Sequence, residues 1–358
     1  MNWPTQKMLG ASLLCILFFT SGCVSTLALV VRDPLWSSSN SYPSVRVAGD
    51  SLKHPDILTP LILLDLPFSV ALDTVIAAKS RRPKIGQSVS AAPLTKEESA
   101  KFIEVAIRKR IKKPVGELTD VDLEKVTRLG MYAKNLTDVK GLEKLTQLTS
   151  LKLTHNQLTD VKGLEKLTQL TELYLSNNQL TDVKGLEKLT QLEKLYLNNN
   201  QLTDVMGLEK LTKLKGLSLN DNQLTNVRGL ENLTQLTHLV LLRNQLTDVK
   251  GLENLSQLAE LQLQDNQLTS VKGLEKLTNL TYLDLNDNQL TDVKGLEKLT
   301  KLEHLDLEYN KLTNVKGLEK LTQLKLLYLG HNPDLTKAQI DELQKALPKC
   351  KIGGNPFK

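Results

Sequence analysis

Apolar positions along most of this chain follow one pattern that restarts every 22 residues. In one unit Leu170, Leu173, Leu175, Leu180, Val183, Leu186 and Leu189 are apolar, and each has a counterpart 22 residues on. Leu173 and Leu175 lie two apart, so in an extended segment both side chains point to one face and the residues beside them to the other. Each unit therefore predicts one short strand. The block that follows, "GLEKLTQL", is too short for a stable α-helix and predicts a 3₁₀ turn, which the chain enters at Gly163 and its equivalents. One strand with a few leucines buries too little to fold alone, whereas units stacked in register share a continuous core. Ten such strands, spaced about 4.8 Å apart, would build a parallel sheet about 43 Å long.

The conserved half of the unit is copied almost verbatim. "LTDVKGLEKLTQL" at Leu136 returns unchanged at Leu158 and Leu180, and with one to three changes at Leu202, Leu224, Leu246, Leu268, Leu290 and Leu312. Between the copies runs the frame L-x-x-L-x-L-x-x-N, whose last position is held by Asn156, Asn178, Asn200, Asn222, Asn244, Asn266, Asn288, Asn310 and Asn332. An Asn amide donates and accepts at once, which suits it to satisfy turn carbonyls and amides that water cannot reach, so these asparagines are expected to form a structural ladder. From Val126 to Leu335 the frame resembles the leucine-rich repeat, in its 22-residue, internalin-like form. The resemblance implies an α/β solenoid with a curved parallel sheet of about ten short strands, 3₁₀ turns on the convex side and partner binding on the concave face.

Both ends carry helix signals. "TKEESAKFIEVAIRKRIKK" opens with Thr95 and Glu98 at capping-box spacing and predicts a helix to about Lys112, within an N-terminal cap over 95–125. The first repeat is degenerate, with Lys134 in the Asn position and Met131 in a leucine position. "LTKAQIDELQKALPKCKI" starts with a second box, Thr336 and Gln339, and predicts an amphipathic helix ending at Pro348, within a C-terminal cap over 336–358.

Against this constant frame, substitution concentrates at strand positions that face away from the core. The first such column reads Ser150, Glu172, Lys194, Gly216, His238, Glu260, Tyr282, His304, Leu326; the second reads Lys152, Tyr174, Tyr196, Ser218, Val240, Gln262, Asp284, Asp306, Tyr328. Recent duplication with drift explains the verbatim copies. It does not explain why Asp160, Lys162, Glu165 and Lys166, also expected at the surface, hardly change from unit to unit. A diversified concave face that takes a protein or glycan does. Three groups stand out on it: Tyr174 and Tyr196, an aromatic pair one strand apart; Val240 and Leu242, an apolar anchor flanked by His238 and Arg243; and Asp284 and Asp306, an acidic end near His304, Glu308, Asp265 and Asp287. Tyr282 and Tyr328 extend the aromatic part. The acidic end suits a basic segment of a ligand, or a cation.

Charge and chemistry narrow the function further. The chain carries a formal +6, but Asp, Lys, Glu and Lys of each full copy sum to zero, a balanced solvated surface rather than a nucleic-acid footprint. Most of the excess lies in Lys79, Arg81, Arg82, Lys84, Arg108, Lys109, Arg110, Lys112 and Lys113, which would suit either a solvated tether or contact with an anionic surface. There is no Gly-rich phosphate loop, no Cys/His metal spacing and no serine elbow. The His304, Asp306 and Asp284 cluster has acid and base groups but no nucleophile, so a non-catalytic protein without cofactor or dedicated metal site, and monomeric, is expected.

The first ninety residues follow different rules. "MNWPTQKMLGASLLCILFFTSGC" places Lys7 before an apolar run from Met8 to Phe19, then small residues and Cys23. This is a secretory signal over 1–22, too short to span a membrane. Its "TSGC" ending resembles the bacterial lipobox, with Thr20 in place of the usual leucine, and implies a lipid anchor on Cys23; Val24 then favours the outer membrane. An unlipidated signal peptide is the alternative. With Cys15 removed and Cys23 lipidated, Cys350 alone remains, so no internal disulfide is expected. Over 23–80, "SYPSV" and "LILLDLPFSVALDTVIAA" resemble the small YceK/YidQ-type lipoproteins, and Asp65, Asp73, Pro60 and Pro67 argue against a membrane span there. Residues 81–94 read as a linker. The function expected is an envelope-anchored binding protein; the alternative is an envelope-maintenance lipoprotein with the repeats as a spacer. Metabolic labelling with a palmitate analogue should tag the wild type and not Cys23→Ala, which should leave the membrane fraction; label retained on Cys23→Ala would exclude the anchor.

Overall fold

A computed structural model describes residues 92–353 and the strand segments 14–15 and 29–30. The chain separates into two compact units, Met1–Val89 and Ser90–Lys358. In the first, β1 (Leu14–Cys15) and β2 (Leu29–Val30) form an antiparallel pair. Cys23 and nearly all of the segments expected as signal, lipoprotein module and linker lie outside the described residues.

The second unit is a solenoid. Eleven strands, β3 (Arg128–Gly130), β4 (Ser150–Lys152), β5 (Glu172–Tyr174), β6 (Lys194–Tyr196), β7 (Gly216–Ser218), β8 (His238–Val240), β9 (Glu260–Gln262), β10 (Tyr282–Asp284), β11 (His304–Asp306), β12 (Leu326–Tyr328) and β13 (Lys351–Gly353), make one sheet in sequence order. All neighbours are parallel, and through β12 each residue pairs with the one 22 positions on, as Leu173 does with Leu195. The register follows from the pattern: a slip of one residue would turn every inward leucine outward. The inward leucines are fully buried, Leu173, Leu175, Leu180, Leu186 and Leu189 all at 0 % exposure.

The asparagine ladder is present in full. In one representative coil the Asn222 Oδ1 accepts from the Leu202 amide at 3.0 Å, while Nδ2 donates to the carbonyls of Leu197 at 3.0 Å, Leu219 at 2.9 Å and Asn220 at 3.3 Å. One side chain thus ties two coils at the point where both leave the sheet. The preceding residue turns the chain by adopting a left-handed conformation in every unit, including bulky ones such as Arg243 at φ 52° and Tyr309 at φ 52°.

On the convex side, 3₁₀ turns form at Leu142–Lys144, Leu164–Lys166, Leu274–Lys276, Leu296–Lys298 and Leu318–Lys320. The other four copies keep the same i to i+3 bond, for example Leu186 N to Val183 O at 3.1 Å, as plain turns. Gly163 and its counterparts enter these turns with φ between 98° and 113°. At Gly229 a β-carbon would also meet Val205 O at 2.9 Å, so no other residue fits without displacing backbone.

The constancy of this side has a structural origin that the sequence reading missed. Asp160 Oδ1 accepts from the Lys162 amide at 3.1 Å, and the Glu187 carboxylate turns back to accept from the Gly185 amide at 2.8 Å. Where the Asp is replaced, Asn226, Ser270 and Asn314 accept in its place. These residues were expected simply to face solvent; they cap their own turns. Backbone donors hold the Glu165 carboxyl below the usual carboxylate range.

Helices close both ends. α1 (Lys96–Ile111) starts at the Thr95–Glu98 box and buries Ser99, Ile103 and Ile107, spaced four apart on one face. α2 (Asp120–Glu124), capped reciprocally by Thr119 and Asp122, was not expected. Its five residues lack the periodicity that would have announced it. α3 (Lys337–Ala346) starts at the Thr336–Gln339 box and buries Ile340 and Leu343. Beyond it the chain returns to add β13, so the sheet has eleven strands rather than the ten expected; Gln344 Nε2 donates to Leu347 O and Cys350 O, both at 3.0 Å, and fixes that return. Cys350 is packed and 4 % exposed.

Replacing Asn222 by Ala orphans the buried Leu202 amide, at about 1–3 kcal/mol, and removes one of the donors from each of the Leu197, Leu219 and Asn220 carbonyls, which keep another. Its denaturation midpoint should fall well below that of the exposed control Asn232→Ala, and equal midpoints would remove the ladder from the account of stability.

Candidate functional site

The outward columns form the concave face of the sheet, because each strand has its leucine on the core side and its flanking residues opposite. In-register pairing places Tyr174 beside Tyr196, Val240 beside Gln262, and Asp284 beside Asp306. The first and third juxtapositions are as the sequence predicted.

The aromatic part is built from stacked rings. Tyr174 and Tyr196 lie 4.6 Å apart, only 8° from parallel, and Lys152 Nζ sits 4.8 Å over the Tyr174 ring on its other side. Burial raises the Tyr196 hydroxyl above its ordinary pKa. Near the opposite end His304 lies between two tyrosines, 4.6 Å from Tyr282 and 5.6 Å from Tyr328. Stacking along the solenoid axis covers ring faces with neighbouring side chains.

The central residues differ from expectation. Val240 is 0 % and Leu242 4 % exposed, so neither is the open apolar anchor that the sequence suggested. Neither belongs to the leucine core. They lie on the concave side, where neighbours about 4.8 Å to either side shield their flanks. The residues around them are also committed. His238 Nδ1 is 2.9 Å from Thr237 Oγ1, and Arg243 bridges Asp221 at 3.2 Å and Asp265 at 3.5 Å from the turn row rather than from the strand.

At the acidic end Asp284 Oδ1 accepts from the Asn286 amide and Asp306 Oδ1 from the Glu308 amide, both at 2.9 Å. These local bonds give both carboxylates a structural role that adjacency alone did not reveal. Asp284 is 5 % exposed. Among the described residues no group of His, Cys, Asp and Glu is arranged to hold a metal ion, and no helix is long and apolar enough to cross a membrane. Sequence reasoning passed over Gln262 and Gln264, whose buried Oε1 atoms have no hydrogen-bond partner. The signal available was two long amides next to an apolar pair, in a column otherwise read only for aromatic and charged residues.

Known proteins share this architecture. The family pattern described as Leucine Rich repeats (2 copies) matches residues 168–210, 212–254, 256–298 and 300–345, and a single Leucine Rich repeat pattern matches 144–167. A leucine-rich-repeat protein of Leptospira interrogans is 30 % identical over 64 % of this chain and 67 % of its own, with a TM-score of 0.56. An internalin of Listeria monocytogenes is 27 % identical over 70 % of this chain and 87 % of its own, with a TM-score of 0.50. Internalin C2 of the same organism is 28 % identical over 67 % of this chain and all of its own, with a TM-score of 0.51. Among curated proteins, none matches the sequence.

Burial lowers the His304 pKa from 6.5 to about 4. The unfolded chain thus binds the extra proton across that interval, so this group's contribution is complete above pH 6.5 and declines as pH falls toward 4. Stability of the wild type should drop on acidification through that window more steeply than that of His304→Phe; parallel curves would place the imidazole in solvent.

Proposed function

The chain belongs to the leucine-rich-repeat family, and from that membership we propose that it is a non-catalytic, envelope-anchored lipoprotein that binds a protein partner through its concave face. One observation carries the reading. Most residues that stay constant between units have packing or capping duties, as Leu173, Asn222, Asp160 and Glu187 do, whereas the strand residues opposite the core change from one unit to the next. The capping bonds explain part of the convex constancy, but Lys162 and Lys166 recur with no bond of that kind.

A protein fits this surface better than a glycan. Sugar rings pack on open aromatic faces, and here Tyr174 spends faces on Lys152 and Tyr196, and His304 on Tyr282 and Tyr328. Ring edges and hydroxyls suit peptide groups, and tyrosine dominates protein interfaces for the same reason. A catalytic reading lacks a nucleophile and oxyanion donors beside His304. Anchoring rests on the sequence alone, through Lys7, the apolar run and Cys23.

Affinity capture from envelope extracts should recover a partner with the wild type and lose it with Tyr174→Ala/Tyr196→Ala/Tyr328→Ala. A spacer would keep every partner, and that result would overturn the reading.

A further inference from the structure

The N-terminal end of the solenoid carries valines and cations that neither packing nor pairing occupies. Among the described residues the exposed large apolar side chains are Val105, Val115, Val121, Tyr132, Met206 and Tyr309, and the first four belong to the cap and the first coil. On α1, Lys101, Val105 and Lys109 recur every four residues, so they form one stripe opposite the buried Ser99, Ile103 and Ile107. Past the helix, Arg108 donates to the carbonyls of Lys113 at 3.5 Å and Gly116 at 2.8 Å, which pins the turn carrying Val115, 78 % exposed, against the helix end. The cations here divide into two sets. Arg108, Lys113 and Lys125 pair with Glu104 and Asp122, whereas Lys101, Lys109, Arg110 and Lys112 are exposed and pair with no described residue. A helix C-terminus attracts positive charge by itself, but that attraction does not account for valines standing in water among the lysines.

We propose that this end docks on a bilayer that carries anionic lipid headgroups, with Lys109, Arg110 and Lys112 on the phosphates and Val105 and Val115 at the edge of the acyl region. A soluble polyanion would satisfy only the cations. A bilayer offers negative charge and apolar depth together, and lysine and arginine stems lie along that boundary with their charges in the headgroup layer. Pro114 and Val115 form the tip of a short exposed turn, so they enter the interface without unfolding the helix. None of these residues belongs to the concave columns, so this docking and the partner binding proposed above stand or fall separately.

The test uses the full chain with Cys15→Ala/Cys23→Ala, which removes the anchor cysteine, and an environment-sensitive fluorophore on Val115→Cys or on Met206→Cys, an exposed control in a later coil; Cys350 is buried and stays unlabelled. With vesicles of mixed phosphatidylglycerol and phosphatidylcholine at low salt, the Val115 label should shift to the blue and the Met206 label should not. The shift should vanish with phosphatidylcholine alone and at high salt. Lys109→Gln/Arg110→Gln/Lys112→Asn should lower the affinity read from the shift about a hundredfold, at about fivefold for each basic residue near the surface. Val105→Ser should lower it about threefold at unchanged charge. Both variants alter exposed side chains and should keep the wild-type melting temperature. No shift at Val115, an equal shift at Met206, or a shift indifferent to the charge change would overturn the docking. If the charge change acts, Val105→Ser does not, and dextran sulfate binds as tightly as the vesicles, the end recognises soluble polyanions and the bilayer assignment fails.

Discussion

A coil that turns inward must bury backbone amides and carbonyls, and the strand-ending asparagine is what makes that possible. Its side chain accepts from an amide of the preceding coil and donates to carbonyls of both coils, as Asn222 does with Leu202, Leu197 and Leu219. Because one accepted and one donated bond cross to the preceding coil while the others hold its own, the ladder locks coil spacing and sheet register together. The leucines can then face one continuous core, since nothing polar is left inside to demand water. The first coil shows the same need from the other side: Lys134 holds the Asn position there, and Asn156 of the next coil accepts from its amide at 3.0 Å.

That constraint also divides each unit into two kinds of surface. On the convex side short acceptors at the Asp160 position and a Glu two residues beyond each Gly satisfy turn amides, so even exposed carboxylates are held in place by backbone geometry. The replacements that occur, Asn226, Ser270 and Asn314, all keep an oxygen in reach. On the concave strands the backbone is already paired with adjacent strands, so the side chains there need not satisfy it and can differ from unit to unit. Aromatic stacking, the acceptor-rich centre and the carboxylate flank all arise from the same 22-residue register.

Much of this was legible because a repeat states its rules many times over. Strand, turn, ladder and both long caps followed from period, capping boxes and the two-apart leucines, and so did the pairs Tyr174–Tyr196 and Asp284–Asp306. Less was legible at the ends and in the centre. α2 and β13 lie where the repeat has stopped, so periodicity carries no information about them. The exposure of Val240 and Leu242 was misjudged because facing away from the core was equated with facing water.

The sequence by itself determined the solenoid, since apolar spacing and the recurring asparagine admit one way to bury the leucines without stranding polar backbone. It also determined which residues share the concave face, because register transmits position from coil to coil. Only the tertiary structure decided what those residues do there. Which carboxylates cap turns depends on bonds between residues two apart, and which ring faces are spent on neighbours and that Gln262 and Gln264 hold buried oxygens without partners depend on packing between coils; a linear pattern encodes their adjacency but not their bonding.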